Sequence, residues 1–450
     1  MDLALKYYII ELSRYIITFL MMIYTVFAVI CVSTRKKKLL TFSTSFQSVL
    51  MILILFVAFL HLTFVSGKQE YLYLFAFITL FLFFMITLVS IIYDTSDRIL
   101  LNNMCLLSGI GLTIVSRLSF ARAFRQYIIT LVSFAICLVI PFLIDRFRHL
   151  RQLLWVYAGT GLFALLIVLL TGSKTNGAYI RFAIRGITFQ PSEFVKILYL
   201  FFIAALLYKY NSFKWIAISA FIAGAHVIIL VLSKDLGSAL IFFVTYVFIV
   251  VMSTHNYWYL GAGIFGLLIS SIVSYRMFDH IKVRVTAFLD PWTYIDDKGY
   301  QITQSVFAIS SGGWFGTGLM QGRPWDIPFV DQDLIFSAVC EEFGIVFSIC
   351  LLLICLCCFC RMMNFASRIA DKFYQTVVYG IAIMYIFQVF LTVGGSIKFI
   401  PLTGLTLPLI SYGGSSVMAT YIMFYIVQGI VIKSRNFELR MNLGANEEAK

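Results

Sequence analysis

Phe46-Gln47-Ser48-Val49-Leu50-Met51-Ile52-Leu53-Ile54-Leu55-Phe56-Val57-Ala58-Phe59-Leu60-His61-Leu62-Thr63-Phe64-Val65 runs for twenty residues without an aspartate, glutamate, lysine or arginine. A helix of about 20 apolar residues is long enough to cross the hydrocarbon core of a bilayer. Similar stretches recur from one end of the 450-residue chain to the other, near 15–32, 71–93, 99–116, 127–144, 153–171, 194–209, 214–233, 236–253, 257–275, 334–358, 376–396 and 414–433. Backbone groups in hydrocarbon must bond within their own segment, and no barrel-like alternation is visible, so the stretches are read as helices. The expected fold is an all-α polytopic integral membrane protein of about thirteen transmembrane helices, with one long extracellular loop.

Composition agrees. Apolar residues make up 61% of the chain and charged residues 12%, against about 25% charged in soluble domains. The gaps between spans are mostly too short for a soluble domain. The first apolar stretch contains Glu11 and Arg14 and lacks a small-residue cleavage site, so no cleavable signal peptide is expected. The formal charge of +13 is dispersed between spans, which excludes nucleic acid and favours anionic headgroups or an anionic lipid substrate. Of the nine cysteines, Cys31, Cys105, Cys137, Cys350, Cys355, Cys357, Cys358 and Cys360 lie in or at the end of apolar stretches. No histidine stands at zinc-ligand spacing, so packing is their expected role.

Alternate loops carry Arg35 to Lys38, Arg98, then Arg146, Arg148 and Arg151, then Lys209 and Lys214, then Arg361, Arg368 and Lys372; Lys433, Arg435 and Arg440 follow the last span. With thirteen spans all fall on one side, and the positive-inside rule makes that side the cytoplasm. The amino terminus is then outside and the carboxyl terminus cytoplasmic. The outer loops hold cations too: Arg117, Arg122, Arg125, Lys174, Arg181, Arg185, Lys282, Arg284, Lys298, Arg323 and Lys398, with Lys196 and Lys234 near span ends. Snorkelling and pairing with acids is one reading of these charges, and a site for a phosphate-bearing lipid is the other. The longest loop, 276–333, contains the glycine-rich Ser311 to Gly318 and the run Ile327 to Asp333. No Gly-Lys-Ser/Thr follows the glycines, which excludes a nucleotide-binding loop.

Five segments together resemble the SEDS (shape, elongation, division and sporulation) family, which contains FtsW, RodA and SpoVE. They are Gly177-Ala178 with Phe189-Gln190-Pro191-Ser192-Glu193-Phe194-Val195-Lys196; Lys234-Asp235-Leu236-Gly237-Ser238-Ala239; Arg284 to Pro291 leading to Gly299 to Ser305; Asp333-Leu334-Ile335-Phe336 with Glu341-Glu342-Phe343-Gly344; and Pro401 to Ser416. The resemblance covers roughly 98–433, and the order of its segments makes it specific. The chain departs from the family pattern at Arg181, Phe329 and Gln332. A division follows into an additional region of three helices at 1–95, a membrane core at 96–433 and a cytoplasmic tail at 434–450.

The resemblance implies a multi-pass enzyme of the bacterial cytoplasmic membrane, a peptidoglycan glycosyltransferase. It would polymerise lipid II into a nascent glycan strand on the outer face, in division, elongation or sporulation, beside a class B penicillin-binding protein and among membrane lipids. Such a reaction needs a base for the attacking hydroxyl and cations for the departing pyrophosphate. Asp333 holds the position of the family's catalytic aspartate. A helix cap is the competing reading, and Asp331 is the fallback base. Glu193 and Lys196, three apart on a helix, are either substrate contacts or a neutralising pair. Arg284 reads as a pyrophosphate-binding or loop-positioning residue. Gln304 and Ser305, with Gln301, are candidates for sugar hydrogen bonds or for satisfying loop backbone. Glu341 and Glu342 read as structural pairing, and Ser411 to Ser416 as a close-packed turn. No nucleotide or ATP is needed, because the lipid pyrophosphate carries the activation; a divalent cation (Mg or Mn) at the pyrophosphate is left open. The rival function is a lipid II flippase, which would place its site near the midplane; a noncatalytic scaffold is the third.

Overall fold

The computed structural model describes residues 3–34, 36–147, 149–175, 178–184, 187–210 and 212–448. Arg35, Arg148, Gly177 and Arg185 of the sequence reading lie outside them. The chain forms α1 (Leu3–Ser33), α2 (Lys37–Ser66), α3 (Glu70–Ile92), α4 (Arg98–Leu118), α5 (Phe120–Cys137), α6 (Ile140–Arg146), α7 (Leu154–Thr171), α8 (Pro191–Lys209), α9 (Phe213–Leu232), α10 (Leu236–Thr254), α11 (Trp258–Met277), α12 (Asp279–Leu289), α13 (Tyr300–Gly312), α14 (Ile335–Ala366), α15 (Lys372–Ser396) and α16 (Gly414–Glu448). Among the described residues thirteen spans are long and apolar enough to cross a membrane, α5 and α6 counting as one. Each coincides with a stretch expected from the sequence.

Local chemistry sets the helix ends. Asp97 caps α4 by accepting from Leu100 N–H at 3.0 Å, and Asp235 caps α10 by accepting from Ser238 N–H at 3.2 Å. Pro191 opens α8, where its missing N–H costs nothing. Pro141 follows the break between α5 and α6, because it cannot donate back to the preceding turn. Gly67 ends α2 in the left-handed region, its N–H on the Thr63 carbonyl.

Every residue of α4 from Ile99 to Ser116 is buried, which makes it the centre of the bundle. Helices α8, α15 and α16 are also largely buried, whereas α11 buries none of its residues. The helices α1, α2 and α3 pack on one another and against α4 and α14. Phe83, Leu170, Phe221 and Trp258 are among the large apolar side chains exposed on the outside, as a bundle surrounded by lipid tails requires.

Two features differ from the expectation of loops. Between α7 and α8 lies a three-stranded antiparallel sheet in the order β1-β2-β3, made of β1 (Ser173–Thr175), β2 (Ala178–Ile184) and β3 (Ile187–Phe189). Tyr179, Ile180, Phe182 and Ile184 supply β-branched and aromatic residues, but the strands are too short to stand out from a loop. The long connection before α14 is itself folded, into α12, α13 and a 3-10 turn at Pro324–Asp326.

The span α14 is broken at Gly344 (φ 84°, ψ 172°), a conformation open essentially to glycine alone. The break frees backbone groups, and each would cost several kcal/mol if left unpaired at membrane depth. The glycine-rich segment fills it. Thr317 N–H donates to the Glu341 carbonyl at 2.8 Å and Gly318 N–H to that of Glu342 at 3.0 Å. Ile345 and Val346 N–H donate to the Gly313 and Trp314 carbonyls at 3.0 and 3.2 Å. A Cβ at Gly312 or Gly316 would collide with the Cys340 or Glu342 carbonyl. These glycines serve close backbone approach.

Candidate active site

Asp333 lies in the turn that leads into α14. The first-turn cap position falls on Leu334, one residue later. The main chain of the turn is tied down from α15 and from the 401–413 segment between α15 and α16. Tyr412 N–H donates to the Asp331 carbonyl at 2.7 Å, the Ser411 hydroxyl to the Gln332 carbonyl, and the Ser396 hydroxyl to the Asp333 carbonyl at 3.4 Å. Leu334, fully buried, packs in a small cluster with Ala308, Ile327, Val330 and Ala338. Asp333 itself is half-buried. Asp331, the fallback, has its carboxylate on the Arg122 guanidinium at 2.7 Å.

Arg284, on α12, donates to the Leu402 and Thr403 carbonyls at 3.1 and 3.2 Å. Gly404 beside them has φ +75°. Burial lowers the Arg284 pKa, and the carboxylates of Asp333 and Asp235 act against that shift. One guanidinium therefore braces the 401–413 segment and stands in the field of both acids.

Glu193 and Lys196 form a buried ion pair at 2.7 Å. The Lys196 ammonium also donates to Gln388 Oε1 at 3.0 Å, and Gln388 Nε2 to the Thr406 carbonyl at 2.9 Å. With Lys196 only 1% exposed, the pair reads as internal neutralisation that ties α8 to α15 and the 401–413 segment. Asp235 accepts from the Ser192 hydroxyl at 3.1 Å. Ser305, on α13, is buried and bonds the Ser337 hydroxyl and the Ser396 carbonyl, so its hydroxyl holds α13 to α14 and α15. Gln301 and Gln304 are half-buried on the same helix.

The acids after Asp333 are paired. Glu342 holds Arg117 at 2.8 Å, both buried, and Glu341 accepts from Arg323 N–H at 2.8 Å. Gly111 of α4 lets the Leu409-Ile410 turn pack directly on the helix. The Ser411 to Ser416 turn is thus close-packed and also holds the Asp333 turn. Among the described residues no three His, Cys, Asp or Glu side chains group as metal ligands. Cavities of about 300 and 290 Å³ lie at the far end of the bundle, by Asp145, Arg151 and Lys433 and by Tyr208, His255 and Lys372.

Gln388 and Ser396 are constituents that sequence reasoning did not single out, and neither the pairing of Arg122 with Asp331 nor the site role of Asp235 was read from it. Asp235 was within reach, as an acid opening a span in Lys234-Asp235-Leu236-Gly237. Gln388 and Ser396 lie inside an apolar stretch and carried no local signal.

The profile of the FtsW/RodA/SpoVE family, described as cell cycle proteins, matches residues 99–436. The chain belongs to this family. The peptidoglycan glycosyltransferase RodA of Mycobacterium tuberculosis is 33% identical over 372 residues, 74% of this chain and 78% of the relative. The probable peptidoglycan glycosyltransferase FtsW of Wigglesworthia glossinidia brevipalpis is 33% identical over 368 residues, 77% and 94% of the two chains. Among solved structures, a chain of a peptidoglycan synthase complex that coordinates polymerization and crosslinking superposes with a TM-score of 0.64. It is 27% identical and covers 75% of this chain and 97% of its own. The rod shape determining protein RodA of Thermus thermophilus has a TM-score of 0.59 at 25% identity, covering 75% and 97%. Helices α1 to α3 precede the family match, and α4 to α16 carry it.

Proposed function

We infer that this chain polymerises lipid II into glycan strands on the outer face of the cytoplasmic membrane, with Asp333 as the base. As a member of the FtsW/RodA/SpoVE family it is a multi-pass membrane protein and a peptidoglycan glycosyltransferase. The observation that carries the finer reading is the company of Asp333: a half-buried carboxylate on a turn tied at three successive carbonyls, within the field of the Arg284 guanidinium. An acceptor sugar hydroxyl attacks the anomeric carbon of the donor. The new glycosidic C–O bond forms as the bond to pyrophosphate breaks. The hydroxyl proton passes to Asp333, and the bonding pair leaves with undecaprenyl pyrophosphate. The base supplies nucleophile activation and Arg284 supplies positive charge near the leaving group. Lys196 and Glu193 hold the wall of the site; Gln304, on α13 beside it, is the sugar-contact candidate.

The orientation with the amino terminus outside is supported by Arg361, Arg368, Lys372, Lys433 and Arg435 clustering at the end of the bundle away from Asp333. A flippase would place its polar site near the midplane; the cluster around Asp333 lies where α8, α10, α14 and α16 begin. A class B penicillin-binding protein is the proposed partner, supported by the likeness to a chain of a synthase complex. A divalent cation, Mg or Mn, is a second source of positive charge. Among the described residues no three His, Cys, Asp or Glu side chains group as ligands, so the ion would be held mainly by the substrate's own phosphate oxygens and water, as Mg commonly is. Incubating purified protein with lipid II, with and without chelator, tests these readings. Glycan strands support the enzyme, and translocation without polymer refutes it.

A further inference from the structure

The glycine-rich segment that fills the break in α14 has two edges. One edge is satisfied by α14, through Thr317 and Gly318 N–H and the Gly313 and Trp314 carbonyls. The other faces α1 and α2, two of the three helices that precede the family match. Arg14 of α1 donates from Nη1 to the Gly316 carbonyl at 3.0 Å. His61 of α2 lies with Nε2 2.7 Å from the Leu319 carbonyl, and its Nδ1 is 2.7 Å from the Ser13 hydroxyl. His61 is 1% exposed. Arg14 is steadied by Glu11 at 2.7 Å, and Tyr15 next to it packs on Phe315 with ring centroids 5.3 Å apart.

Helices that merely covered the bundle would need no such groups. Buried polar side chains are costly in a membrane protein unless they are paired and used. Here they are spent on two backbone carbonyls of one short segment. That segment continues directly into Gly322, whose carbonyl is held by Arg117 at 3.2 Å, and Arg323, whose N–H is held by Glu341. It then runs on to Asp333. The two helices, the segment and the broken span form one stack.

We propose that α1 and α2 clamp the 313–320 segment into the break of α14, with Arg14 and His61 as positioning residues for polymerisation at Asp333. The N-terminal helices thus complete the catalytic end of the core. Releasing the segment lets the start of α14 and the turn before it shift, and a displacement of about 1 Å at a reacting group costs up to roughly 100-fold in rate.

The test uses full-length protein and lipid II, with a reporter cysteine in place of the buried Leu319 in a Cys360→Ser background. The Arg14→Ala, His61→Ala double variant is expected to lower polymerisation per folded molecule about 10- to 100-fold and to speed thiol labelling at 319. Arg14→Lys and His61→Gln, which keep a donor, are expected to restore both. Arg14→Met alone, which removes the donor, is the fallback should the double variant not fold, because Arg14 is partly exposed; it must also speed labelling at 319. Turnover near wild type overturns the proposal. So does lost turnover with residue 319 still shielded, or failure of the conservative variants to restore both. The turnover arm rests on the reading of Asp333 as base, whereas labelling at 319 reads the clamp directly. Active Asp333→Asn protein would therefore refute the base and leave the clamp standing.

Discussion

Replacing Asp333 by asparagine separates chemistry from architecture. The contacts that hold this turn use the main-chain carbonyls of Asp331, Gln332 and Asp333, and asparagine leaves all three in place. Arg284 would lose one of two nearby carboxylates but keep Asp235 and its bonds to the Leu402 and Thr403 carbonyls. For a half-buried charge the folding cost is therefore about 1 kcal/mol or less. Catalysis is a different matter. A positioned base contributes about 10²–10⁴-fold, and even the lower figure is about 2.7 kcal/mol of transition-state stabilisation. Glycan strand synthesis from lipid II by purified Asp333→Asn protein is thus expected to fall about 100-fold or more, with unchanged folded yield and partner binding. Asp331→Asn is expected to be much milder, since it mainly loosens the pairing with the half-exposed Arg122. A capping role predicts the reverse: asparagine tolerated at 333, and alanine costing about 1 kcal/mol of stability. Near-normal polymerisation by Asp333→Asn would refute the assignment and move the search to Asp331, then Glu193.

Other outcomes follow from the same geometry. Lys196→Met leaves Glu193 buried without its partner and is expected to cost about 3–5 kcal/mol in stability; thermal unfolding should show the loss, and Glu193→Gln in the same molecule should recover part of it. Arg284→Gln is expected to reduce polymerisation more than protein level, and normal turnover per folded molecule would make Arg284 purely structural. Gly344→Ala places a Cβ against the Gly316 backbone at φ 84°, so folded yield should collapse while Gly224→Ala, with open space around it, is tolerated. A cysteine at Asp297 should react with an impermeant thiol reagent on intact cells and one at Lys37 should not; labelling of both would overturn the thirteen-span orientation.

The spans were legible in the sequence because crossing hydrocarbon is a local demand: each stretch must be apolar and about 20 residues long whatever surrounds it. Asp97, Pro191 and Asp235 set helix starts by equally local chemistry, although those spans were placed from the sequence by their apolar stretches alone. The family resemblance pointed to Asp333, Glu193, Lys196 and Arg284 by order along the chain, without showing what each touches. That was decided by packing. Lys196 meets Gln388 from a helix nearly two hundred residues away, and Ser305 spends its hydroxyl on α14 and α15 rather than on the open side of the site. The glycines of 312–318 could not be interpreted in one dimension, because their partner is the break at Gly344, and a break inside an apolar span leaves hydropathy unchanged. The three N-terminal helices were visible as spans, but their grip on the Gly316 and Leu319 carbonyls was not. A hydrogen bond to a backbone carbonyl carries no mark of its partner's residue type, so only the tertiary structure brings Arg14 and His61 to the segment they hold.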